Sequence, residues 1–149
     1  MSEASLTNLE RMRIQMEYAV PLIRDLQRQL GADVVNEALA RRAEHETQEQ
    51  AAPGSKADFG RMEAGTAHFA AGGALDYEIV GASDNHFDLD VTSCRYAEMM
   101  DELDARDIGH LLICNLDFGT AARLGMELER TQTQMQGGTH CDFRYRRRT

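Results

Sequence analysis

Apolar residues recur every seven positions near the start of the chain, at Leu9, Met16, Ile23 and Leu30, with Leu6, Met12, Val20 and Leu26 filling the same face. This spacing predicts an amphipathic helix over residues 4–30. Pro21 has no N–H to give the helix ladder and should kink or divide it. Gly31 suits a helix end and Asp33 a helix start, so a second helix is expected over 33–49. Val34, Val35, Ala38 and Leu39 face inward at its beginning, and its second half is almost wholly polar. The stretch AAPGSK at 51–56 reads as a linker. A third helix follows, with Phe59, Met62, Thr66 and Phe69 at steps of three and four and Gly72 and Gly73 as its stop.

The period then changes to two. Leu75, Tyr77 and Ile79 alternate with Asp76 and Glu78, and beyond the turn residues Ser83, Asp84 and Asn85 the segment HFDLDVTSC alternates again. Together these predict a β-hairpin. From Cys94 the run CRYAEMMDELDARDIGHLLICNLDFGTAARLG returns to helical spacing, as two or three short helices broken near Gly109 and Asn115. MELERTQTQM and HCDFRYR alternate around Gly137 and Gly138, a second hairpin. The expected fold is α+β: N-terminal helices, then a four-stranded antiparallel sheet interrupted by short helices (ββ-α-ββ), with helices covering one face.

A length of 149 residues favours one domain over 1–149, with a helical part at 1–72 and a sheet part at 74–146 that carries any site. Sixteen Lys and Arg against 25 Asp and Glu leave a net charge of −9, which repels nucleic acid and anionic membrane surfaces. Arg144, Arg146, Arg147 and Arg148 read as a solvated basic tail or a local anion contact. There is neither a spanning apolar stretch nor a secretory signal, so neither nucleic acid nor membrane is expected as a partner, and the expected location is cytoplasmic. The heptad stripe can be buried inside the monomer or against a second copy, making a homo-oligomer through the N-terminal helix one expectation. Cys94, Cys114 and Cys141 lack disulfide or metal-knuckle spacing and are expected as free thiols.

Candidate chemistry gathers in the second half. Cys94 ends a strand and opens a helix, where unpaired N–H groups and the helix dipole can lower a thiol pKa. Glu98 sits one turn on, placed either to shuttle protons or to oppose activation. Arg130 falls on the apolar side of its strand with Met126 and Leu128. A guanidinium there needs an anionic partner, either an internal carboxylate (Asp117 or Glu98) or the carboxylate of a ligand. Cys141 shares a face with Phe143 and Tyr145, while His140 and Asp142 point the other way. His110, Cys114 and Asp117 would share one side of an unbroken helix, a weak pattern for a divalent metal.

The run VTSCRYAEMMDEL, then GHLLICNLDF, then LERTQTQMQGGTHCDFRYR resembles the L-2-amino-thiazoline-4-carboxylic acid hydrolase family over about residues 86–146. The ordered set Cys94, Glu98, Cys114, Asp117, Arg130, Thr131, Gly137, Cys141, Asp142 and Phe143 carries the resemblance, and CDFRY is its sharpest piece. The resemblance implies hydrolytic opening of a small cyclic amidine or amide ring bearing a carboxylate, as 2-amino-thiazoline-4-carboxylate yields N-carbamoyl-cysteine. It also implies kinship with vinyl-reductase-like small-ligand domains. On this reading Cys94, Asp117, Cys141 and Glu98 form the catalytic set, and Arg130, Thr131 and His140 the substrate contacts. No cofactor is required, with a metal-activated water as the competing route. The alternative is a non-catalytic domain of related architecture that binds a small ligand or a metal.

Overall fold

A computed structural model describes residues 5–51, 54 and 56–148 of the chain. The sequence dictates its first helix, α1 (Asn8–Leu30), from the cap onward: the Thr7 hydroxyl accepts the Glu10 N–H while the Glu10 carboxylate accepts the Thr7 N–H. Pro21 does not divide α1; it lies on the exposed side, where the carbonyl it leaves unpaired faces water. Met16, Val20 and Ile23 are buried, so the middle of the heptad stripe belongs to the monomer's own core, whereas Leu26 and Leu30 are exposed. Gly31, at φ 91°, turns the chain into α2 (Ala32–Gln50). Val35 of α2 is buried but Val34 is not. The expected linker at 51–56 lies partly outside the described residues, and α3 (Phe59–Ala70) follows with Asp58 as its cap.

The predicted hairpin is β1 (Leu75–Ala82) and β2 (His86–Cys94), the latter running directly into α4 (Arg95–Glu102). The pairing has two register shifts, one at Thr92 of β2 and one at Val80 of β1, and Ile79 of this edge strand is exposed. After α5 (Arg106–Gly109) the helix does not break. It widens into a single π-helical turn, His110–Cys114, in which the Asn115 N–H reaches back five residues to the His110 carbonyl at 2.9 Å. The chain then continues as α6 (Leu116–Arg123).

The second hairpin is shorter in its first arm than the alternation suggested. β3 stops at Glu129 (Met126–Glu129), and residues 130–140 form a loop with one 3-10 turn before β4 (Cys141–Arg147). All pairings are antiparallel, in the order β1-β2-β4-β3. The mixed α+β architecture is therefore the expected one.

β2 and β4, at the centre of the sheet, decide its two faces. Phe87, Leu89, Val91, Cys141 and Tyr145 point inward with Met126 and Leu128 of β3. On the outer face Asp88 pairs with Arg146, and Asp90 with Arg144 at 2.9 Å; Arg147, in the register of Tyr145, lies over the Phe59 ring of α3 and donates to the Asp84 carbonyl. Arg144 and Arg146 therefore belong to a paired strand, not to a free basic tail, because cross-strand carboxylates neutralise them. One apolar cluster joins α1, α2, α4 and α5 with the π turn, and the other joins the sheet to α3 and α6; Leu75 and Cys94 pack against both.

Candidate functional site

A cavity of about 300 Å³ lies at the junction of the two clusters, between the inner face of the sheet and helices α3 and α6. Cys94, Cys114, Asp117, Arg130, Cys141 and Tyr145 all line it, although they come from distant stretches of the chain. Each gets there by a local rule. Cys141 and Tyr145 are alternate residues on the inner face of β4. Cys94 is the last residue of β2 and the N-cap of α4. Cys114 and Asp117 flank the exit from the π turn, whose extra residue sets the direction of both.

Of the two partners weighed for Arg130, the structure supplies the internal one. Arg130 donates to the Asp117 carboxylate at 2.8 Å and to the Cys114 carbonyl at 3.1 Å, and its side chain is only 5% exposed. Its guanidinium lies 5.1 Å from the Phe118 ring centre and 5.0 Å from that of Phe143. This stacking suits the flat, weakly hydrated guanidinium and would not suit a lysine. Burial pushes the Asp117 carboxyl above the ordinary carboxylate range, and the Arg130 charge offsets part of that rise.

The three free thiols respond in the same way. Burial pushes Cys94 up, with the backbone N–H groups of Ala97 and Tyr96 pulling back. Burial also pushes up Cys141, whose sulfur accepts the Gln134 N–H at 3.2 Å, and it pushes Cys114 up furthest. Desolvation thus overrides the helix N-terminus that the sequence offered to Cys94 as an activator. At rest the chamber holds thiols, not thiolates. The Tyr145 hydroxyl, raised well above its usual range by burial, has no hydrogen-bond partner among the described residues.

Three predicted residues stand outside the chamber. Glu98 is exposed and faces Arg95 at 4.0 Å. Thr131 donates its N–H to the Asp142 carboxylate at 2.9 Å and its hydroxyl to the other carboxylate oxygen. His140 bonds to the Thr139 hydroxyl at 2.9 Å. His110 does not line the cavity either, because the π turn breaks the spacing that would have aligned it with Cys114 and Asp117. Among the described residues no three His, Cys, Asp or Glu side chains converge to hold a metal ion.

The sequence reading missed two residues, Arg61 of α3 and Arg123 of α6. Both line the cavity, both are exposed, and neither side chain has an ion-pair partner among the described residues. Nothing in their own helices marks them, since an exposed arginine is ordinary until a second element brings a cavity beside it.

The family profile for L-2-amino-thiazoline-4-carboxylic acid hydrolase matches residues 11–145. The chain belongs to this family. The match takes in the helical half as well as the chamber, beyond the stretch on which the resemblance was first visible. Among solved structures, the phenol-responsive sensory domain of the transcription activator PoxR with phenol is similar at 16% identity and a TM-score of 0.49, covering 85% of this chain and 71% of that one. No curated protein matches the chain. No helix among the described residues is long and apolar enough to cross a membrane.

Proposed function

We propose that this family member hydrolyses a small cyclic amidine or amide bearing a carboxylate, with a 2-amino-thiazoline-4-carboxylate-like ring as the first candidate. The observation that supports it most is the convergence of Cys94, Cys141, Asp117 and Arg130 on one cavity of about 300 Å³. That volume is at the small end of ligand pockets and suits a single ring.

Cys94 is the nucleophile. Because its thiol is neutral at rest, attack on the amidine carbon proceeds as its proton passes to Asp117, whose raised pKa makes it a better base than an ordinary carboxylate. The ring carbon–sulfur bond then breaks, and the proton returns to the departing sulfur. Water adds to the enzyme-bound carbon and restores the Cys94 thiol, releasing the carbamoyl product. Arg130, its charge balanced by Asp117, holds that carboxylate in place. Arg61 and Arg123 hold the substrate carboxylate at the mouth, with the ring directed inward.

The test is a panel of cyclic amidine and amide carboxylates assayed with the wild type, Cys94→Ser and Cys141→Ser. Turnover should fall at least about a hundredfold in Cys94→Ser while binding persists, and should be indifferent to chelators. Unchanged turnover in both variants removes thiol catalysis, and loss on chelation with recovery by one metal favours the metal-activated water. A second reading, a binding-only domain, draws on the raised thiols; it prevails if the wild type binds the panel at every pH without product.

A further inference from the structure

The outer face of α1 carries a stripe that the fold does not use. Ile14, Tyr18, Leu22, Leu26 and Leu30 follow one another at steps of four and are all exposed, Tyr18 by 79% and Ile14 by 58%. Val34, at the start of α2 beyond the turn at Gly31, is exposed as well. Only Ile14, Tyr18 and Leu22 lie apart from the heptad face, whose middle members are buried within the monomer; Leu26 and Leu30 belong to that face and are exposed where it runs out.

The pattern around Tyr18 specifies the partner. At about 100° per residue, Arg11, Ile14, Leu22 and Asp25 all fall within about 40° of Tyr18 on the helix surface. Their positions are also symmetric: Ile14 and Leu22 stand four residues to either side, Arg11 and Asp25 seven. A face that is apolar at its centre, positive at one end and negative at the other is complementary to itself when turned end for end. That is the condition for an isologous two-fold contact.

We propose that α1 forms a homodimer interface in which two copies pack antiparallel across Tyr18, each Arg11 facing the Asp25 of the second copy. Asp25 already pairs with Arg28 within its own helix, so the contact between copies completes a three-member charge group. Rows at steps of four incline to the helix axis, and two such rows interdigitate at a crossing angle of roughly −50°. The contact therefore concentrates on Ile14, Tyr18 and Leu22, with a polar rim bringing the buried area toward the roughly 800 Å² a side of a stable interface. A lipid surface is the weaker fit. The chain carries −9 overall, and this face bears both signs without the basic flanks of an interfacial helix.

Sedimentation equilibrium of the full chain should give twice the chain mass at micromolar concentration. Tyr18→Glu and Leu22→Glu should each weaken the dimer at least about tenfold while the helical circular dichroism is kept, since both side chains are already in water. Arg11→Asp should weaken it too, and the double exchange of Arg11→Asp with Asp25→Arg should restore it. A monomeric wild type overturns the proposal, as do a dimer indifferent to both glutamates, a double exchange that restores nothing, and monomers that float with zwitterionic vesicles.

Discussion

At the scale of single residues, alternation along a strand was enough to see Arg130 coming. Its place beside Met126 and Leu128 put a charge on the apolar side, and a buried charge demands a partner. What alternation could not supply was the choice between Asp117 and a ligand, because that depends on the phase of a helix elsewhere in the chain. Asp142 was visible as a member of the family set without a role, and the structure gives it a structural one. Burial pushes its carboxyl up, but the Thr131 hydroxyl and the N–H groups of Gln132 and Thr131 outweigh this and hold it below the usual range. A carboxylate depressed on folding contributes stability that is fully present above its unfolded pKa of about 3.9. That contribution is lost as pH falls through the lower folded value. Asp142→Asn should therefore cost about 2 kcal/mol at neutral pH, a typical value for hydrogen bonds to a charged group. It should also flatten the acid limb of stability below about pH 4, both read from urea denaturation across pH. An unchanged acid limb would show that the loop is held by other contacts.

Among the elements, order and type were legible because the hydrophobic period switches cleanly between helical and extended spacing at Leu75, Cys94 and Met126. Boundaries were less so. Glu129 ends β3 early because the loop from Arg130 to His140 folds back on Asp142 and Gln134 instead of pairing. The close crossing at the junction between α6 and β3 was not legible. Gly125 has φ 76°, and a Cβ built on it would lie 2.7 Å from the backbone of Lys56 and 2.9 Å from that of Ala57. The link into α3 crosses there, anchored by the Asp58 N–H on the Leu124 carbonyl at 3.0 Å. Backbone cannot yield as a flexible side chain can. Gly125→Ala should thus cost about 3 kcal/mol from the left-handed conformation and the clash together. A loss below about 0.5 kcal/mol in thermal and urea unfolding, the range of an ordinary surface change, would mean that this crossing is not fixed.

For the whole molecule, net charge and the charge at the chamber mouth have opposite signs, and only the first could be read from composition. A chain at −9 repels a carboxylate from afar, while Arg61 and Arg123 attract it within the last few ångströms. Binding of a carboxylate ligand should therefore weaken several-fold from dilute buffer to high salt, and more steeply in the wild type than in Arg61→Gln or Arg123→Gln. The matching neutral amide should show little change. Equal salt dependence of the two ligands in a titration would remove the arginines from recognition. The same view of the whole chain gives the π turn at His110–Cys114 its weight. Excising its one surplus residue would re-phase everything downstream by about 100°. Asp117 and Phe118 would swing away together, and the buried Arg130 would lose its carboxylate. Composition and hydropathy would scarcely register the change, so the spacing across that turn is as much a condition of the chamber as the residues that line it.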